Sequence, residues 1–139
     1  MLVGMVALKS TPWALEDNFC RVEAYVREVA ARRAQVVVAP ESVLDGYVFN
    51  EDPTSTREGM LEIAQTVPDG AYIRRAGELC RELGIYLIFG FLEREGQELF
   101  NACAMLDPQG GMIAHYRKIT TAGEYAITPG GKLEPFDTP

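Results

Sequence analysis

No two cysteines in this sequence of 139 residues are spaced as CxxC, and the three present, Cys20, Cys80 and Cys103, are odd in number and far apart. Neither a zinc site nor a disulfide framework is indicated, and a reducing cytoplasm is the expected setting. Basic clusters are also missing: 13 Lys and Arg stand against 20 Asp and Glu, a net charge of −7. Nucleic acid and anionic membrane are therefore not expected partners. No apolar segment approaches the roughly 20 residues that a membrane-spanning helix needs. Met1 to Leu8 is apolar but has no positive flank before it and no small-residue cleavage pattern after it, so it reads as a buried strand rather than a signal peptide. What is present, 47% hydrophobic and 24% charged residues, suits a soluble globular chain with one core. Residues 1–139 read as one domain.

The apolar pattern changes period along the chain. From about Ala14 to Arg33, Phe19, Val22, Val26 and Val29 recur at steps of three and four, which predicts an amphipathic helix on a sheet. Val36-Val37-Val38-Ala39, stopped by Pro40, predicts a central parallel strand apolar on both faces. Pro40 to about Asp52 has no period and contains Asp45-Gly46; it predicts a loop leaving a strand's C-terminal end, where sites form. Ile73, Ala76, Leu79, Cys80 and Leu83 predict a second helix, with Gly84 placed for a left-handed cap. Ile85 to Phe89 predicts another buried strand. Leu99 to Leu106, the turn 107–111 and Met112 to Arg117 predict a hairpin. The order implies an α/β fold with a mixed sheet and helices on one face. After about Thr120 the chain reads as loop.

Two residues stand where chemistry could occur. Glu41 follows a buried strand and a proline; it is either a general base with a pKa raised by burial, or a loop acid capping nearby backbone. Lys118 ends the last strand beside His115, Tyr116 and Arg117, a cationic cluster in an acidic chain. It either supplies fixed positive charge to a developing oxyanion or discourages edge pairing. A carboxylate and a lysine thus end what are expected to be neighbouring strands. His115, out of step with the apolar alternation, reads as structural or exposed. The cysteines read as inert small hydrophobes: Cys20 beside Phe19, Cys80 on the packed side of a helix, Cys103 inside a strand.

Val37 to Gly46, with Tyr47 after it, resembles the strand, Pro-Glu, loop and Gly-Tyr signature of the nitrilase superfamily of carbon–nitrogen hydrolases. Gly90-Phe91-Leu92-Glu93-Arg94 is similar to that family's Gly-x-x-Glu-Arg strand. Asn101-Ala102 through Asp107-Pro108-x-Gly110 resembles its hairpin, and Tyr116-Arg117-Lys118 its Tyr-Arg-Lys. These pieces keep one order along the whole chain. The resemblance implies Glu41 as base, Lys118 as oxyanion stabiliser and Glu124 as the second, pocket-lining glutamate. It further implies the first half of an α-β-β-α sandwich, no metal or organic cofactor, and a small amide, carbamoyl or nitrile substrate. A homo-oligomer, or association with a missing C-terminal half, is the partner expected.

Two departures accompany it. Thr120 stands two residues past the lysine, where the family usually has His. The family's nucleophilic cysteine belongs on a strand-to-helix elbow beyond residue 139, so the domain is expected to be incomplete at its C-terminus. Two further readings follow, a non-catalytic subunit sharing the fold or a fragment of a longer enzyme.

Overall fold

The structure, a computed structural model, describes residues 1–50 and 55–137; Asp52 and Pro139, to which the sequence assigned loop, lie outside the described residues. Five strands form one sheet in the order of the chain: β1 (Val3–Met5), β2 (Val36–Val38), β3 (Tyr86–Glu95), β4 (Glu98–Leu106) and β5 (Met112–Arg117). β1, β2 and β3 are parallel, whereas β3, β4 and β5 are antiparallel. The mixed α/β sheet is the one anticipated. Because β4 alone runs backwards, β2, β3 and β5 all point their C-terminal ends the same way.

Helices α1 (Leu15–Ala31) and α3 (Ala71–Leu83) cover one face of this sheet. Their buried stripes, Phe19, Val22 and Val26 with Ile73, Ala76, Leu79 and Cys80, pack on Val37, Leu87, Phe89, Phe91, Ala102 and Ala104. Gly84 adopts φ 65° and its amide reaches Cys80 O at 2.9 Å, the left-handed cap expected. Helix α2 (Arg57–Ile63) was not anticipated; its seven residues are too few to establish a period. It buries Met60 in a second, smaller cluster with Val48, Phe49, Leu92 and Leu99.

The opposite face carries no such helix cover among the described residues. Residues that alternate with the core set, Val36, Val38, Tyr86, Ile88, Met105 and Tyr116, are only half-buried. β1 forms, but as an edge strand whose Val3 and Met5 are exposed rather than buried. β2 and the start of β3 carry apolar residues toward both faces, as expected, and among the described residues α1 and α3 pack on one side alone, the one-sided helix cover that the element order implied. No described helix is long and apolar enough to cross a membrane.

Candidate functional site

Glu41 follows β2 and Lys118 follows β5, but these strands are not neighbours, since β3 and β4 lie between them. What joins them is the segment after β2, which leaves the sheet end and crosses over β3. The crossing is close: a Cβ on Gly90 would stand 2.5 Å from Ser42 N and 2.9 Å from Glu41 Cα. Only glycine admits it. The loop is then tied down by Asn18 Nδ2 donating to Leu44 O (2.9 Å), Ser10 Oγ donating to Val43 O (2.7 Å) and Leu44 N–H donating to Gly90 O (3.3 Å). Ser42 to Gly46 are buried, so this is an interior crossing rather than a surface loop.

The crossing delivers the Glu41 carboxylate to β4 and β5. Its Oε1 accepts from Lys118 Nζ at 2.8 Å and from Asn101 Nδ2 at 2.7 Å. Glu124 Oε1 accepts from the same two donors, from Asn101 Nδ2 at 3.1 Å and from Lys118 Nζ in a shorter contact. The three residues singled out from the sequence, Glu41, Lys118 and Glu124, thus meet in one cluster. Asn101, a buried polar residue among apolar neighbours in β4, is shared by both carboxylates and had not been assigned a role. Its signal was that a buried amide amid hydrophobic neighbours must find partners.

Burial pushes the Glu41 carboxyl up, but donation from Lys118, Asn101 and Tyr47 outweighs it and leaves the group below its ordinary value. The raised pKa expected of Glu41 is therefore corrected: partners, not burial, dominate. Hydrogen bonding to Glu124 and then to Glu41 raises Lys118, so the ammonium stays charged across the neutral range. The Glu124 side chain is 5% exposed, and its Oε2 has no hydrogen-bond partner among the described residues.

A cleft of about 220 Å³ opens beside this cluster on the half-exposed sheet face, lined by Glu41, Lys118 and Asn101 with Pro40, Ile88, Gly90, Cys103 and Tyr116. Cys103 is thus brought into the cleft. Burial and then the Glu41 charge push its thiol up, the opposite of what a thiolate nucleophile requires. Cys80 is buried and pushed up to about 12. Cys20 is exposed, and its thiol, a partner of Glu16, is likewise raised. Among the described residues, no group of three or more His, Cys, Asp or Glu is arranged to hold a metal ion.

The cationic cluster expected around Lys118 is split by strand alternation. His115 and Arg117 project to the face opposite Lys118 and enclose Glu93, which is 1% exposed. Glu93 Oε2 lies 2.7 Å from His115 Nε2, and its Oε1 accepts from Arg117 Nη2 at 2.5 Å. His115 is therefore structural, half-buried in an ion-pair network.

Comparisons with known proteins point one way. The chain is 33% identical over 120 residues to a nitrilase of Pyrococcus abyssi, covering 85% of this chain and 44% of that protein. It is 31% identical over 135 residues to the omega-amidase NIT2 of Homo sapiens, covering 88% and 46%. The chain therefore spans a little under half the length of these curated relatives. Among solved structures, an amidase from Nesterenkonia sp. superposes with a TM-score of 0.77 at 20% identity, over 96% of this chain and 49% of that one. An N-terminal amidase bound to an Asn-Glu-Ala peptide gives 0.77 at 21% identity, over 92% and 31%. These structures share the fold. With the carbon-nitrogen hydrolase family profile matching residues 2–139, the chain belongs to that family, within the nitrilase superfamily.

Proposed function

We propose that this chain supplies the base and the electrostatic half of a Glu-Lys-Cys hydrolase acting on non-peptide carbon–nitrogen bonds, with an amide or carbamoyl substrate favoured over a nitrile. The observation that carries the reading is the Lys118 ammonium held between Glu41 and Glu124, with Asn101 bonded to both carboxylates. On this reading the nucleophile is a cysteine outside these 139 residues: Cys80 is buried, Cys20 is exposed as a partner of Glu16, and the Cys103 thiol is raised by burial and the Glu41 charge. For the Nesterenkonia neighbour, variants are described with the acetamide moiety of fluoroacetamide added covalently at the active-site cysteine.

In this mechanism Glu41 takes the thiol proton as sulfur attacks the carbonyl carbon. The oxyanion that forms is met by Lys118 and a backbone N–H. Glu41 returns the proton to the leaving nitrogen, ammonia or an amine departs, and water deprotonated by Glu41 hydrolyses the thioester. Glu124, with Oε1 on Lys118 and Asn101, sits behind the lysine and keeps it aimed. The half-exposed apolar sheet face is the inner face of a sandwich, covered by a second sheet from the other half of the domain or from a second copy. A reducing compartment such as the cytoplasm fits a catalytic thiol.

The test is ammonia release from small amides by the full gene product that contains these residues. Glu41→Gln and Lys118→Met should each lower kcat/KM by about 10²–10⁴-fold. Activity within tenfold of the parent in either variant overturns the reading. The 139-residue chain alone should turn over no faster than its Glu41→Ala form.

A further inference from the structure

Among the described residues, Glu41 Oε1 is held by two donors, Lys118 and Asn101, whereas Oε2 has one, the Tyr47 hydroxyl at 3.2 Å. Oε2 is the less encumbered oxygen and the one with a lone pair to spare for a proton. What the chain does to bring Tyr47 there is unusual. Gly46 and Tyr47 are consecutive left-handed residues, φ 74° and 62°, and a tyrosine adopts that conformation only when its surroundings hold it. Gly46 has no alternative, because a Cβ there would stand 2.6 Å from Thr11 O.

What holds Tyr47 is Asp45. Its carboxyl is fully buried and bonded to backbone N–H groups: Oδ1 accepts from Tyr47 N–H at 3.1 Å and Oδ2 from Leu92 N–H on β3 at 2.8 Å. A carboxyl so placed does not repay its own desolvation, which pushes it up to about 7. Its effect is geometric. It staples the turn to the sheet and fixes the Tyr47 amide, and the turned backbone throws the phenol back six positions onto Glu41.

We propose that Asp45 and Tyr47 form a positioning relay for the base: Asp45 sets the backbone of Tyr47, and Tyr47 sets the Oε2 side of the Glu41 carboxylate. The proposal rests on Glu41 being the base, but its test reads ionisation and not turnover, so the two can fail separately. Neither residue is a reacting group. Tyr47 is raised by burial, then by the charge and hydrogen bond of Glu41, which makes its titration a gauge of the contact.

The experiment follows the Tyr47 ring-carbon resonance of the 139-residue chain through alkaline titration. Glu41→Gln should lower the Tyr47 midpoint. In an Asp45→Asn background the same Glu41→Gln change should lower it by less than half as much, because the phenol no longer faces residue 41. A Tyr47 midpoint unmoved by Glu41→Gln overturns the proposal without recourse to any Asp45 variant. So does a Glu41→Gln effect as large in the Asp45→Asn background as in the parent, since a merely structural Asp45 would lower stability and leave that coupling intact.

Discussion

Removing Glu93 tests how β5, the edge strand that leads into Lys118, is held in place. The carboxylate is 1% exposed and takes donation from Arg117 Nε and Nη2 and a contact from His115, both on β5. Glu93→Ala leaves a guanidinium 24% exposed and an imidazole 25% exposed, with Glu95 as the remaining acidic partner of Arg117 at 3.1 Å. Breaking a buried pair from one side costs roughly 3–5 kcal/mol. Because Arg117 keeps Glu95 and its stacking over Phe100, at 3.8 Å from the ring centroid, the low end applies, about 3 kcal/mol. Glu95 is 70% exposed, so Glu95→Ala should cost under about 1 kcal/mol although it contacts the same arginine. In urea unfolding, with a slope of about 1.5 kcal/mol per molar, the Glu93→Ala midpoint should fall by about 2 M and the Glu95→Ala midpoint by well under 1 M. The acid limb supplies a sign check. Burial pushes Glu93 up, but His115 and Arg117 bring it below its ordinary value of 4.5. A depressed carboxylate stabilises the fold above its unfolded pKa and loses that contribution as pH falls through the folded one. The parent should therefore weaken on acidification below about pH 4.5, and Glu93→Gln should weaken less. Equal midpoints for the Glu93→Ala and Glu95→Ala chains, or an acid limb unchanged by Glu93→Gln, would refute the reasoning.

Gly90→Ala should displace the loop over β3 and cost about 1–3 kcal/mol, with the Glu41 to Lys118 ion pair lost in the variant's structure; a crystal structure retaining that pair would contradict the crossing argument. The half-exposed face of Val36, Val38, Tyr86 and Ile88 should make the isolated chain self-associate at micromolar concentration or bind an apolar-surface dye, read by sedimentation and fluorescence. A monomer that binds no dye would mean the face is closed in another way. Alkylation by iodoacetamide should modify exposed Cys20 first and buried Cys80 only on unfolding; mass spectrometry showing Cys80 labelled in the native chain would count against the packing of α3.

Short-range order was legible in the sequence because it is set by side chains within a few residues of one another. The three-and-four spacing in α1 and α3, the left-handed glycine at 84 and the hairpin turn all formed where the pattern placed them. Glu41, Lys118 and Glu124 were singled out through family-like motifs and their order, and the fold brings their side chains together. What tertiary structure alone decided was which groups touch. Lys118 reaches Glu41 across two intervening strands because a loop passes over a strand lacking a side chain at residue 90. The pleat sends His115 and Arg117 away from Lys118, to a buried Glu93 that in the sequence looks like any charged strand end. Asp45 reads as a turn residue until the fold buries it, and Asn101 as a polar break in a strand until two carboxylates share its amide. The physical reason is the same each time: burial and partnership come from segments distant in the chain, and no local pattern encodes the path that brings them together.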